Sequence, residues 1–72
     1  MDRAALISRY EDAYRRIRDA SGLNAMIIAI EEAEQVLAAL ILSSERDDGE
    51  TRANLARLVD FRSLSRAMRR IA

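Results

Sequence analysis

Cysteine and histidine are both absent from this chain of 72 residues. Without cysteine there can be no disulfide, no thiolate ligand for zinc and no thiol nucleophile. Without histidine the chain lacks the side chain that most often acts as a general base near neutral pH. Neither a glycine-rich phosphate-binding loop nor a nucleophile beside a base is present. We therefore expect no catalytic residues, no metal site and no cofactor, and we predict that the protein is not an enzyme.

Proline and glycine, the residues that most often interrupt helices, are almost missing: the chain has no Pro and two Gly. Half of its residues are hydrophobic, and Ala, Leu and Ile dominate among them. This composition favours helix along nearly the whole chain, so we predict an all-α fold. Lysine is absent as well, and every basic residue is arginine. That bias indicates GC-rich coding and favours a bacterial or phage source.

The chain is too short to build a large core. A domain of this size buries only about 60% of the surface that its unfolded chain exposes. A core of this size rarely supplies more than roughly 3–5 kcal/mol, and small proteins usually add disulfides, a metal or a partner subunit. Because the first two are excluded, good helix packing or self-association must serve instead. We predict that residues 1–72 form a single small helical domain and that it assembles as a homodimer.

Residues 25–42 are the most apolar stretch, but they do not resemble a membrane span. Glu31, Glu32 and Glu34 lie in the middle of the stretch, and carboxylates are costly at the centre of a bilayer. Charged residues also interrupt the first apolar segment of the chain, so we expect no signal peptide. The sequence predicts a soluble cytoplasmic protein without a transmembrane helix.

Apolar residues recur at intervals of three and four, which predicts helices over residues 3–20, 25–43 and 51–71. Gly22 is expected to end the first helix in a left-handed conformation, and Asn24 to cap the second. The polar segment between the second and third helices is expected to turn at its Asp-Gly pair. Two residues in it, Asp48 and Thr51, are candidates for the cap of the third helix. The predicted architecture is an antiparallel helical hairpin plus a third helix, assembled into a helical-bundle dimer.

Residues 36–42, with the sequence VLAALIL, are apolar on every side of the second helix. A helix without a polar face is normally covered from several directions. Two neighbouring helices of the same chain could cover it, and so could a second copy of the molecule. We predict that a second copy contributes and that the self-association residues are Val36, Leu37, Leu40 and Ile41.

The third helix has no single apolar side. At about 100° per residue, its apolar residues between 55 and 59 point one way, and those between 64 and 71 point roughly the opposite way. Either the apolar stripe rotates around a continuous helix, or the helix breaks and Asp60 caps a new one. The sequence leaves both alternatives open.

Charge is unevenly distributed, although the formal net charge is zero. Residues 21–50 hold one Arg against seven acidic residues, and residues 51–72 hold six Arg against one. Four of these arginines form a stripe along the third helix, and four interpretations of the stripe remain open: a surface for nucleic acid, a membrane-surface helix, a dock for an acidic protein, or a solvated face. The stripe consists of Arg62, Arg66, Arg69 and Arg70.

Glu31, Glu32 and Glu34 form an acidic patch on the second helix. In an antiparallel hairpin Arg62 would lie opposite Glu31 and Glu32, and exposed pairs of this kind contribute about 0–1 kcal/mol each. Glu31 and Glu34 also have the i, i+3 spacing of carboxylate metal sites, but those sites use histidine too. The composition therefore favours a solvated or partner-facing patch.

We expect a small non-catalytic module for protein–protein interaction, such as an adaptor, an accessory chaperone or a stoichiometric inhibitor. Either the arginine stripe or the acidic patch is predicted to contact the partner protein. The alternative is a nucleic-acid-associated regulator that uses the arginine-rich C-terminal helix. A pI near 6.2 and the lack of aromatic residues between the arginines disfavour that alternative.

Overall fold

The computed structural model describes residues 2–43 and 49–71, which form three α-helices. These are α1 (Arg3–Asp19), α2 (Leu23–Leu42) and α3 (Gly49–Ile71). No strand occurs in the two described ranges. The helix α2 packs against both α1 and α3, whereas no Cα atom of α1 lies within 8 Å of a Cα atom of α3. The all-helical prediction is confirmed, with α2 as the central helix and its two neighbours spread apart.

The turn between α1 and α2 differs from the predicted one. Gly22 has φ 109° and ψ 157°, which is extended backbone of the mirror-image kind rather than the left-handed helical conformation. It occupies the N-cap position of α2, and its carbonyl accepts a hydrogen bond from the N–H of Met26 at 3.2 Å. Asn24 lies inside the first turn, so its prediction as the cap was wrong. Glycine can adopt this conformation, and α2 therefore begins at the next residue, Leu23, whose side chain is half-buried.

The cap of α1 is provided by Asp2. Its carboxylate accepts a hydrogen bond of 2.7 Å from the backbone N–H of Ala5, which satisfies one of the free donors at the helix start. At the start of α3, Gly49 is the first helical residue rather than part of a turn, and Thr51 lies within the helix. Asp48, the other predicted cap, is outside the described residues.

The core is built around α2. Val36 and Leu40 of α2 form a cluster with Leu6 of α1, and Tyr10 and Ala39 pack against it. Most of the fully buried residues belong to this central helix, because it is covered from two sides. Within the described part of the chain, no helix is long and apolar enough to cross a membrane. The buried α2 residues are Ile27, Ala29, Ile30, Ala33, Val36, Leu37 and Leu40.

The helix α3 runs without a break from Gly49 to Ile71, and Asp60 is an exposed residue within it. Its inner side is a regular row spaced at alternating intervals of three and four, but two buried members of that row, Asn54 and Ser65, are polar. A pattern drawn from apolar residues alone omits these two residues and therefore suggests a stripe that rotates around the helix. The buried row itself is straight. The inner row is Thr51, Asn54, Leu58, Phe61, Ser65 and Met68.

Candidate functional site

The acidic patch of α2 is engaged within the chain. Glu31 forms an ion pair with Arg69, and Glu32 forms one with Arg9 of α1 at 2.9 Å. The hydroxyl of Ser65 donates a hydrogen bond to the Glu34 carboxylate at 2.8 Å. All three glutamates are only partly exposed. The patch therefore joins α2 to both neighbouring helices, and a partner would have to compete with these contacts to use it.

The ion pairs that form are not those expected from a symmetric hairpin. Glu31 contacts Arg69 rather than Arg62, and Glu32 contacts α1 rather than α3. Arginine and glutamate side chains are long enough to reach a neighbouring turn, so equal distance from the loop does not determine which residues meet. The inner row of α3 instead places Ser65 beside the acidic side of α2, and Arg69, one turn further along α3, reaches the same side.

The predicted arginine stripe is exposed along its whole length, but its members differ in their contacts. Arg69 is held by Glu31. Among residues 2–43 and 49–71, no carboxylate forms an ion pair with Arg62, Arg66 or Arg70. These three guanidinium groups keep their donors free for a partner, and each can bind a carboxylate through two parallel hydrogen bonds.

The residues predicted for self-association are largely covered by the chain itself. Val36, Leu37 and Leu40 are 1%, 0% and 4% exposed, because α1 and α3 pack on either side of them. Ile41 is half-buried, while the next residue, Leu42, is 86% exposed. A second copy can contact Leu42 and part of Ile41 without disturbing the fold, but it cannot reach the other three. This burial leaves self-association itself untested.

Two rows of side chains run along α2 and α3, on the side away from α1 except at Ile28, which also borders a groove lined by Arg16 and Ala20. Members of a row are three or four residues apart, so each row lies on one side of its helix. The ion pair between Glu31 and Arg69 joins one row to the other. Together the rows are named here the α2–α3 face: Ile28, Glu31, Gln35, Ala38 and Leu42 of α2, with Leu55, Val59, Arg62, Arg66 and Arg69 of α3.

The α2–α3 face exposes large apolar side chains. Leu55 is 51% exposed and Val59 is 54% exposed, and both lie in the first half of α3, which follows the loop. Leu42, at the loop end of α2, is still more exposed, and Ile28 lies at the opposite end with 68% exposed. Four of the eight exposed large hydrophobic residues of the described chain therefore belong to one face. Apolar surface gathered in this way marks a candidate contact surface.

A second feature lies where α1 and α3 diverge. It is a groove of about 590 Å³, lined by residues of both helices. The rings of Tyr10 and Tyr14 are 6.3 Å apart between centroids and inclined by 43°. The groove is not among the sites predicted from the sequence, where both tyrosines are read as part of the inner stripe of α1. The pairing of two of the three aromatic residues at i, i+4 is the signal that could have indicated it. Its lining consists of Tyr10, Glu11, Tyr14, Arg15 and Arg57.

The pKa of the Tyr10 phenol is expected to lie above the ordinary value for tyrosine. Burial raises the pKa of its phenol above 10.0, the nearby Arg57 guanidinium lowers it in part, and Tyr14 adds a further increase. In a Tyr14→Phe variant, phenolate absorbance reports Tyr10 alone, because the chain has no tryptophan and two tyrosines. We predict a midpoint above 10.0 in the folded protein and a return to about 10 in denaturant.

The raised pKa of Tyr10 determines how the stability of the fold changes with pH. Because the folded protein holds the Tyr10 proton more tightly than the unfolded chain does, the contribution of neutral Tyr10 is fully present below pH 10.0. It is lost as the pH rises through the folded-state pKa. A folded midpoint at or below that of the denatured variant would contradict the burial of Tyr10 beside Ala39 and the Leu6 cluster.

Comparisons with protein-family models, with curated proteins and with solved structures found no match for this chain.

Proposed function

We propose that this chain is a small non-catalytic interaction module that binds another protein through the α2–α3 face. The observation that carries the proposal is the continuity of exposed Leu55 and Val59 with Arg62 and Arg66, spaced 4, 3 and 4 residues apart. Apolar anchors beside arginine are typical of protein interfaces, in which arginine is enriched. An acidic partner with an apolar stripe would match this row.

The module acts by binding alone, as an adaptor, an accessory chaperone or a stoichiometric inhibitor. Homodimerisation belongs to the same proposal, since a chain of this size gains stability from a partner subunit. Cytoplasmic location and a bacterial or phage source also belong to it, and they rest on sequence composition. What supports the proposal over use of the acidic patch is that Glu31, Glu32 and Glu34 already have partners within the chain.

The proposal predicts that Arg62→Glu/Arg66→Glu lowers partner capture by at least about tenfold, because interface arginines are frequent hot spots. Tagged wild-type and variant proteins would be used as bait in the source cell, and the captured proteins quantified by mass spectrometry. A partner retained equally by the double variant would contradict the proposed surface.

A matched control is Arg16→Glu/Arg18→Glu, which makes the same change of charge on α1. Both residues lie in the last turn of α1, where cations offset the helix dipole, so this control also costs some helix stability. Circular dichroism must find both double variants helical. Equal loss of capture with the control would indicate a nonspecific charge effect rather than a specific surface.

The second candidate is a nucleic-acid-associated regulator that uses the arginine stripe. The observation in its favour is that Arg62, Arg66 and Arg70 have no carboxylate partner among the described residues. Retention of duplex or single strands at about 50 mM salt, falling steeply as salt rises, would support this candidate. No retention under those conditions would remove it. Retention of nucleic acid that is lost in the Arg62→Glu/Arg66→Glu variant depends on the arginine stripe, whereas retention that persists does not.

A further inference from the structure

We infer that the occupant of the α2–α3 face is a second copy of this chain, with α2 of each protomer packed antiparallel on α3 of its partner. The inference rests on the proposed function because it uses the same face, so self-association and the binding of another protein compete for that face. A second copy fits this face because the chain itself presents a surface complementary to the row on α3. That surface is the outer row of α2.

The two rows have matching spacing. Along α3 the row advances by 4, 3, 4 and 3 residues, and along α2, followed backwards from Leu42, it advances by the same steps. An antiparallel pair can therefore keep all five positions of each row in register. The positions that face each other are Leu55 with Leu42, Val59 with Ala38, Arg62 with Gln35, Arg66 with Glu31, and Arg69 with Ile28.

The chemistry changes along both rows at the same place. At the loop end, apolar Leu55 and Val59 meet Leu42 and Ala38, so that Leu42, exposed in one chain, becomes covered. Beyond this point Arg62 and Arg66 meet the polar residues Gln35 and Glu31, and only the last pair, Arg69 with Ile28, sets a charged residue against an apolar one. A register shifted by one heptad would instead set Val59 against Glu31. The stated register sets both apolar residues of the α3 row, Leu55 and Val59, against apolar residues of α2.

Charge complementarity holds at the polar end. Arg66 of one protomer faces Glu31 of its partner, and that carboxylate already binds the partner's own Arg69. Because the Glu31 oxygen that pairs with Arg69 is buried, Arg66 would have to bind the other carboxylate oxygen, which has acceptor sites of its own. Arg62 faces the amide of Gln35, whose oxygen can accept a hydrogen bond. Pairing α3 with α3 in antiparallel fashion would place Arg62 against Arg62, so the charges favour α2 as the partner of α3.

The arrangement has the symmetry of a closed dimer. A two-fold axis parallel to the helices places α2 on the partner's α3 and α3 on the partner's α2, so every contact occurs twice and no row is left open. The four central helices then form a bundle, and each α1 lies outside it. The groove between α1 and α3, lined by Tyr10 and Tyr14, stays accessible on both protomers.

Gln35 offers the sharpest test because it is exposed and replacing it leaves the core untouched. In the dimer it faces Arg62, twice per assembly. We predict that Gln35→Glu lowers the dimer dissociation constant by about two- to thirtyfold and that Gln35→Arg raises it by a similar factor. Sedimentation equilibrium of wild type and both variants measures these constants at low salt, where exposed charges act most strongly.

Ser8 supplies the matched control, since it is exposed on α1 and outside the α2–α3 face. Ser8→Glu and Ser8→Arg make the same changes of net charge and are expected to leave dimerisation unchanged. Three results would each overturn the inference: a wild-type monomer at concentrations up to about 1 mM, a dimer indifferent to the charge at position 35, or equal shifts from the Ser8 variants.

These outcomes are separate from those of the capture experiment. If the charge at position 35 has no effect, the second copy is not the occupant, and capture by wild type against Arg62→Glu/Arg66→Glu still decides whether another protein binds the face. If capture fails while the charge at position 35 shifts dimerisation in both predicted directions, the face serves self-association. The proposal that it binds another protein would then be contradicted.

Discussion

Leu37→Ala is expected to lower the free energy of unfolding by about 2–5 kcal/mol, which is the largest effect of any conservative change considered for this chain. Leu37 is 0% exposed and lies in the second half of α2, where its side chain is enclosed by the core. Truncation removes buried apolar surface and leaves a cavity. Because a core of this size rarely supplies more than roughly 3–5 kcal/mol, much of the variant would be unfolded at room temperature. Urea titration followed by circular dichroism would measure the change.

Leu42→Ala is the matched control in the same helix. Leu42 is 86% exposed, so in the monomer its truncation is expected to change stability by no more than about 0.5 kcal/mol. Both variants must be compared at the same dilute protein concentration, because dimerisation stabilises the folded state by mass action. Similar losses for the two variants would contradict the placement of residues 36–40 under α1 and α3.

Gly22→Ala is expected to destabilise the protein by about 1–3 kcal/mol. The reason is the backbone conformation, φ 109° and ψ 157°, which is essentially restricted to glycine. Nothing lies within 4 Å of the position that an added Cβ would occupy, so steric contact with the rest of the chain does not contribute. Thermal unfolding of the variant would report the backbone strain alone.

Gly49→Ala is the corresponding control. Gly49 is the first residue of α3, it has no positive φ angle, and an added Cβ would also meet nothing within 4 Å. Replacing a glycine in such a position restricts the unfolded chain, so stability is expected to stay constant or rise by up to about 1 kcal/mol. Equal destabilisation at both positions would mean that Gly22 is not strained in the way described.

The helices follow from sequence because their causes are local. The lack of proline and the three- and four-residue spacing of apolar positions predict three helices, and the observed bounds differ from the predicted ones by at most two residues. The ends are less predictable. At Gly22 the same residue can end one helix or begin the next, and the choice depends on how Leu23 is buried.

Tertiary contacts explain the remaining differences. Asn54 and Ser65 are buried in α3 because Arg57 and Glu34 supply hydrogen-bond partners, and those partners lie outside any apolar pattern. Likewise, the apolar VLAALIL segment signals coverage from several sides but does not say which molecule provides it. The groove at Tyr10 depends on how far α1 and α3 diverge, which is a property of packing on α2.

The central claim, that a second copy occupies the α2–α3 face, is tested most directly by cross-linking in a chain without native cysteine. A Leu42→Cys chain and a Leu55→Cys chain, distinguished by tags, would be mixed and oxidised gently. The claim predicts that the mixed disulfide forms in preference to either like-with-like disulfide, since facing positions come within bonding range. Random pairing, or a preference for Leu42→Cys with itself, would contradict the claim.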